Sequence, residues 1–131
     1  MKNVKMMGIW MDHFNAYLLE PIDGEIAERI IGSEFTEQEK ISSLDKGEKF
    51  MNHKEHQMQS KYYRRLIDSL KEYDEILLFG PTEAKNELFN LLKADHFFDE
   101  KKIELKNTDK MTAGEMHRFV EDYFKQRFLS Q

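Results

Sequence analysis

Apolar and polar residues follow two different periodicities along this chain, and the change between them predicts its elements. An uninterrupted apolar run at residues 76–79 ends at Gly80 and Pro81, and apolar residues then recur at helical spacing through residue 92. A continuous apolar run before such turn residues is typical of a strand buried on both faces, whereas helical spacing indicates an amphipathic helix. We expect the rest of the chain to be organised around this strand-turn-helix unit.

The first third of the chain predicts three strands joined by hairpins. Apolar runs at residues 4–12, 15–20 and 25–31 are separated by turn-forming residues, of which Asp23-Gly24 is the strongest hairpin signal in the chain. Charged residues interrupt the third run, which is typical of a strand at a sheet edge. These features predict an antiparallel three-stranded meander.

The remainder predicts three helices and two further strands. Apolar stripes place helices at residues 57–73, 82–93 and 112–128, and strands are predicted at residues 75–79 and 101–106. A meander followed by right-handed crossovers most economically gives a mixed five-stranded sheet in the order 3-2-1-4-5, covered by the helices. This α/β arrangement is ribonuclease-H-like.

Between residues 33 and 56 the periodicity disappears, and charges of both signs surround single apolar residues. Loops of that length usually have a function or move. We therefore predict a long mobile loop at residues 33–56, available to partners, within a single domain spanning residues 1–131. In this loop His53 and His56 form an H-x-x-H pair that could hold a metal ion. Solvated loop histidines are the simpler interpretation, because the spacing indicates no third ligand.

Composition narrows the classes of function. No apolar stretch is long enough for a membrane span or for the core of a signal peptide, and the chain has no cysteine. We therefore expect a cytoplasmic protein without membrane contact, disulfides or a thiolate nucleophile. A net charge of −5 offers nucleic acid no general attraction, so contact with a polyanion would need a local basic patch.

Candidate chemistry lies where the predicted strand order reverses, between the first and fourth strands. Asp12 and His13 follow the first strand, and Gly80, Thr82 and Lys85 follow the fourth. Backbone N–H groups at the helix start, together with the charge of Lys85, could bind an anion such as phosphate. The alternative, which the sequence favours, is structural: Gly80 permits the turn and Thr82 caps the helix.

Asp12 also stands where ribonuclease-H-like nucleases keep a metal-binding carboxylate. Such enzymes need several carboxylates that converge on Mg²⁺, whereas the fourth strand ends in Gly80. A hairpin turn residue is the simpler interpretation of Asp12. No pattern indicates a cofactor, and we expect none.

A basic patch precedes the organising unit. Lys61, Arg64 and Arg65 lie off the apolar stripe of the first predicted helix, beside Tyr62 and Tyr63. Such a patch could contact phosphate groups, with an aromatic side chain stacking on a base. The alternative is that the tyrosines face the sheet and the cations form a solvated helix face.

These motifs together resemble a known group of proteins. Residues 9–13 (IWMDH), 78–85 (LFGPTEAK) and 108–112 (TDKMT), with the Tyr62-Tyr63 helix, look like the middle domain of eukaryotic and archaeal peptide-release factors and Pelota-like rescue factors. The chain is even more similar to the small stand-alone bacterial proteins of that group, called translational machinery proteins. The resemblance covers nearly the whole chain. It implies the same fold and an association with the ribosome or ribosomal RNA, not with DNA.

One departure limits what the resemblance implies. Release factors hydrolyse peptidyl-tRNA with a Gly-Gly-Gln loop, and the corresponding residues 45–56 contain no such sequence. We therefore expect a non-catalytic, translation-factor-like interaction module. The alternative is a small hydrolase or phosphate-ligand enzyme that uses the crevice at Asp12, Gly80 and Lys85. The sequence leaves open whether copies of the chain self-associate.

Overall fold

In the computed structural model, which describes residues 4–33 and 48–129, the chain folds around one mixed sheet. Within residues 48–55 and 127–129 the backbone alone is described. The elements follow in the order β1 (Met6–Met11), β2 (Asn15–Ile22), β3 (Glu25–Gly32), α1 (Glu48–Leu70), β4 (Glu75–Gly80), α2 (Ala84–Ala94), β5 (Lys102–Asn107) and α3 (Ala113–Leu129), with a short 3-10 turn at His96–Phe98.

The sheet has the strand order β3-β2-β1-β4-β5, which confirms the predicted order. β2 is antiparallel to β1 and to β3, whereas β4 is parallel to both of its neighbours, β1 and β5. The register sets Ile9 beside Leu78 and Trp10 beside Phe79. The apolar run of residues 76–79 therefore lies in the interior of the sheet, beside β1, as predicted.

Turn chemistry explains the meander. Asp23 and Gly24 have φ angles of 50° and 83°, which is the geometry of the two-residue turns that match the twist of a hairpin. From this turn the ladder runs without interruption from Ile22 opposite Glu25 to Asn15 opposite Gly32. β3 forms one edge of the sheet, as its charged residues predict.

Helices cover the sheet on both faces. α1 and α2 pack on one face, where the buried helical side chains include Tyr62, Leu66, Leu70, Leu88 and Leu92. α3 packs on the other face, where Met116, Val120 and Phe124 meet Trp10, Leu19, Leu77 and Phe79. The three predicted helices are confirmed. None of the helices within the described residues is long and apolar enough to cross a lipid bilayer.

A reciprocal pair of hydrogen bonds starts α3. The Thr112 N–H donates to Glu115 Oε1 at 2.9 Å, and the Glu115 N–H donates to Thr112 Oγ1 at 3.2 Å, which is a capping box. The hydrogen bond that the Glu115 carboxylate accepts from the backbone of Thr112, and then one from the Thr112 side chain, lower the pKa of Glu115. The contribution of the Glu115 carboxylate to stability is therefore present above the ordinary glutamate pKa and is lost as the pH falls through the lowered value.

The start of α1 differs from its predicted position. The helix begins at Glu48 and not at residue 57, so residues 48–56 are helical although the sequence predicts a loop there. Strong helix formers, namely Glu, Lys and Met, are frequent in this segment, and they support a helix without an apolar stripe. Residues 34–47, the rest of the predicted loop after Ser33, lie outside the described residues, and their mobility stays a prediction.

We expect Gly8→Ala to lower the free energy of unfolding by about 1–3 kcal/mol, because overpacking a core costs energy of that order. A β-carbon at Gly8 in β1 would lie 2.5 Å from a methyl group of Val120 in α3. Urea denaturation measures the loss. Gly114→Ala is the matched control, because a β-carbon at Gly114 meets no atom within 4 Å and alanine favours a helix. Equal stability of the Gly8 variant and wild type would contradict the close packing of α3 on β1.

Candidate functional site

β1 and β4 end side by side, which brings their carboxyl ends together where the sequence predicts a crevice. Gly80, the last residue of β4, has a φ angle of 146° and lies against the backbone of Met11 at the end of β1. A β-carbon at Gly80 would lie 2.3 Å from the Met11 carbonyl oxygen, so only glycine fits there. The polar residues of the crevice therefore come from the turns that follow the two strands.

The carboxylate of Asp12 is used inside the β1–β2 turn. Its Oδ1 accepts hydrogen bonds from the backbone N–H groups of Phe14 and Asn15 at 2.8 and 2.7 Å. The carbonyl oxygen of Asp12 accepts a hydrogen bond from the Tyr62 hydroxyl on α1 at 3.0 Å. Asp12 therefore acts as a hairpin turn residue, which is the simpler of its two interpretations.

Thr82 and Lys85 hold the turn between β4 and α2. Thr82 Oγ1 accepts a hydrogen bond from the Ala84 N–H at 3.2 Å, as expected of a capping residue, although α2 begins at Ala84 and not at residue 82. Lys85 is only 1% exposed, and its Nζ donates to the Thr82 carbonyl oxygen at 2.6 Å. A buried ammonium group needs such a partner. The sequence predicts that the Lys85 ammonium group could bind an anion, but in the structure this group binds the chain's own backbone.

His13 belongs to a polar cluster that the sequence does not predict. Its Nε2 lies 3.6 Å from Glu87 Oε2 on α2, and Glu87 Oε1 accepts a hydrogen bond of 2.5 Å from the Tyr63 hydroxyl on α1. The His13 carbonyl oxygen accepts a hydrogen bond from Gln59 of α1 at 3.4 Å. Burial, and then the hydrogen bond to Glu87, raise the pKa of Tyr63, so its hydroxyl stays a proton donor at neutral pH.

This cluster joins the β1–β2 turn to α1 and α2. Its carboxylate and imidazole are partly exposed and could exchange protons with solvent. Within the described residues, however, no three His, Cys, Asp or Glu side chains converge as metal ligands. The one sequence signal is the hydroxyl of Tyr63 on an otherwise apolar stripe, because a buried tyrosine usually has a hydrogen-bond partner. The position of Glu87 carries no such signal.

The exposed cations of α1, Lys61, Arg64 and Arg65, form what we call the basic face. Tyr62 and Tyr63 are 1% and 6% exposed and pack towards the sheet, so they are not available to stack on a base. Arg65 Nη1 donates to the Gly32 carbonyl oxygen at 2.9 Å, which anchors it beside the end of β3. Lys61 and Arg64 make no hydrogen bond or ion pair within the described part of the chain.

A groove of about 370 Å³ runs between α1 and α2 beside Arg64. Ile67 and Leu91 contribute its apolar surface. Lys71, which also lines the groove, lies 3.3 Å from the Asp68 carboxylate, so its charge is partly balanced. Among the described residues that line this groove, Arg64 is therefore the cation available to an anionic partner.

The H-x-x-H pair lies on α1 and not in a loop. His56 is exposed, whereas the side chain of His53 lies outside the described residues. Residues three apart on a helix lie near each other on its surface. Metal binding by His53 and His56 stays a prediction that the structure does not test.

Comparison with known proteins gives similarity in structure only. No family model and no curated protein matches the sequence. Pelota of Archaeoglobus fulgidus has a TM-score of 0.59 at 12% identity, over 96% of this chain and 32% of that one. The Thermoplasma acidophilum Pelota protein has a TM-score of 0.59 at 14% identity, over 89% of this chain and 32% of that one. The archaeal translation termination factor aRF1 aligns over 95% of this chain and 40% of that one, with a TM-score of 0.46 at 13% identity.

The likeness to the two Pelota structures covers most of this chain. The chain therefore shares its fold with part of each of those two Pelota structures. This chain spans about a third of the length of those Pelota chains, at 32% coverage of each. The predicted likeness in fold to Pelota is confirmed. The likeness to release factors and the closer resemblance to the small bacterial proteins stay predictions.

We expect Tyr63→Phe to lower the free energy of unfolding by about 1 kcal/mol. The variant removes the donor to Glu87, and a partly exposed hydrogen bond contributes at that level. Tyr17→Phe is the matched control, because the Tyr17 hydroxyl makes no hydrogen bond within the described residues. Urea denaturation compares the two variants, and equal losses would show that the cluster does not hold α1 to α2.

Proposed function

We propose that this chain is a non-catalytic, translation-factor-like interaction module of the cytoplasm that contacts ribosomal RNA through the basic face of α1. The proposal rests on one observation about Lys61 and Arg64. Both side chains are exposed, and neither has an ion-pair partner within the described residues. Exposed cations without acidic partners are available to phosphate groups.

Electrostatics favours this face as the point of contact. The net charge of the chain is −5, so a polyanion is repelled on average and has to meet a local positive surface. Positions 61, 64 and 65 lie three and four residues apart on the same helix, which sets them on one side of it. Arg64 can bind a phosphate with two parallel N–H groups, and Arg65 keeps further donors besides the one that binds Gly32.

The expected contact is to the RNA backbone and not to its bases. The tyrosines of the motif are buried, so the basic face offers charge without a stacking platform. Phosphate contacts of this kind position a protein on nucleic acid and carry little sequence information. The resemblance of the sequence motifs to translation factors supports a ribosomal partner over DNA.

The crevice gives less support to the alternative of a small hydrolase or a phosphate-ligand enzyme. Asp12 and Lys85 both make hydrogen bonds to backbone groups of their own turns. The sequence also contains no Gly-Gly-Gln, so we do not expect peptide release. Whatever contact the chain makes with the ribosome is therefore expected to be one of binding.

We expect Lys61→Ala, Arg64→Ala and Arg65→Ala together to weaken co-sedimentation with ribosomes and to flatten its salt dependence, by about one unit of slope per lost phosphate contact. The matched control replaces three exposed lysines elsewhere, Lys102, Lys110 and Lys125, with alanine, which changes the net charge equally. Two salt concentrations give the slope for each variant.

Asp12→Asn is the second control, because asparagine keeps an oxygen that can accept the hydrogen bonds of the turn. This variant should bind ribosomes like wild type. Binding that survives in the α1 variant, or that falls equally in the lysine control, would refute the basic face as the contact. Loss of binding in Asp12→Asn alone would favour the crevice.

A further inference from the structure

Within the described residues, β3 has β2 on one side and no strand on the other. Glu25, Ala27, Glu28, Arg29 and Ile30 are exposed, and α3 reaches the strand only at Ile26, which packs against its apolar cluster, and at Glu28, whose Oε1 lies 2.7 Å from His117 Nε2. β3 pairs with β2 over eight residues without a bulge, and it contains no proline. A long, regular edge strand is a template for a further strand unless its side chains prevent the pairing.

The hairpin fixes which backbone groups face outward. In a two-residue hairpin the residues that flank the turn, here Ile22 and Glu25, form a hydrogen-bonded pair, and such pairs recur at every second position. Glu25, Ala27 and Arg29 therefore direct their N–H and C=O groups to β2. Ile26, Glu28 and Ile30 direct their N–H and C=O groups to the outer edge. These groups can form hydrogen bonds with an added strand.

The charges of β3 are complementary to a second copy of the same strand. A two-fold axis perpendicular to the sheet pairs the copies antiparallel and keeps corresponding faces on the same side. With the axis at Ala27, Glu25 stands opposite Arg29 of the second copy, and symmetry repeats this pair. With the axis at Glu28 or Arg29, that residue would face its own copy, and like charges directly opposite each other are destabilising.

Glu25 and Arg29 are free to make these contacts. Neither side chain has an ion-pair partner in the part of the chain that the structure describes. In the register centred on Ala27 they form non-hydrogen-bonded cross-strand pairs, in which side chains approach most closely. In the same register Ile30, which is 53% exposed in the single chain, lies opposite Gly24 in the turn of the second copy.

From this complementarity we propose that two copies of the chain pair through β3, antiparallel about Ala27, and form one continuous sheet. The occupant of the edge is a second copy because its own charges match this register at both ends. The two-fold axis leaves α1 of both copies on the same side of the joined sheet, so the dimer presents two basic faces together.

Two single charge reversals test the proposal without disturbing the fold, because both residues are exposed. In a dimer of either variant, Glu25→Arg or Arg29→Glu, like charges stand opposite each other at two symmetry-related positions. We expect each to weaken dimerisation at least about tenfold, because two cross-strand pairs change from attraction to repulsion. Sedimentation equilibrium from micromolar to millimolar concentration measures the dissociation constants, and circular dichroism checks the fold of each variant.

Mixing the two variants gives the decisive result. A Glu25→Arg chain paired with an Arg29→Glu chain again sets opposite charges against each other at both positions, so the mixture should recover dimers that neither variant forms alone. Ala27→Lys, which places two cations at the axis, should stay monomeric in every mixture. A wild type that is monomeric throughout the range would overturn the proposal, as would wild-type dimers that both reversals leave intact. Failure of the mixed variants to recover dimers would overturn the register centred on Ala27.

Discussion

The parallel pairing of β1 with β4 is the constraint on which the rest of the structure depends. Both strands are covered on both faces, by α1 and α2 on one side and by α3 on the other. At their carboxyl ends Gly80 meets the Met11 backbone so closely that no side chain fits between them. This contact fixes the turn at Asp12 relative to the start of α2. Hydrogen bonds from Tyr62 and Tyr63 then hold α1 to both.

The same constraint decides which polar groups are available to a partner. In many α/β proteins the groups at this end of the sheet bind a ligand. In this chain Asp12 binds two N–H groups of its own turn, and Lys85 binds a carbonyl oxygen of the loop before α2. A satisfied buried network makes its surroundings rigid. Lys61 and Arg64, by contrast, point away from the sheet without such partners in the described part of the chain.

Much of this fold could be predicted because buried positions recur along the sequence with the period of a strand or a helix. The run at residues 76–79, the Asp23-Gly24 turn and the Thr112 capping box are local signals, and each gave the correct element. The start of α1 could not be predicted in the same way, because residues 48–56 form a helix without an apolar stripe. The cluster at His13 depends on contacts between residues far apart in sequence, which no local pattern records.

The burial of Lys85 was missed for a related reason. A lysine in the first turn of a helix beside a glycine turn is a common anion-binding arrangement. In this chain the Lys85 side chain turns towards the carbonyl oxygen of Thr82, because the two groups form a hydrogen bond. They come within hydrogen-bond distance only once the loop is folded. The sequence therefore predicted correctly that these two strand ends are neighbours, and it could not say whether the polar groups there were free.

Contact between α1 and ribosomal RNA is tested most directly by site-specific photocrosslinking. A photoreactive amino acid replaces Ser60, an exposed neutral residue beside the basic face, or Glu121, an exposed residue of α3 on the opposite side of the sheet. Irradiation of each variant with ribosomes should crosslink RNA from position 60 and not from position 121. Equal crosslinking from both positions, or crosslinking from position 121 alone, would contradict the assignment of α1 as the RNA-binding surface.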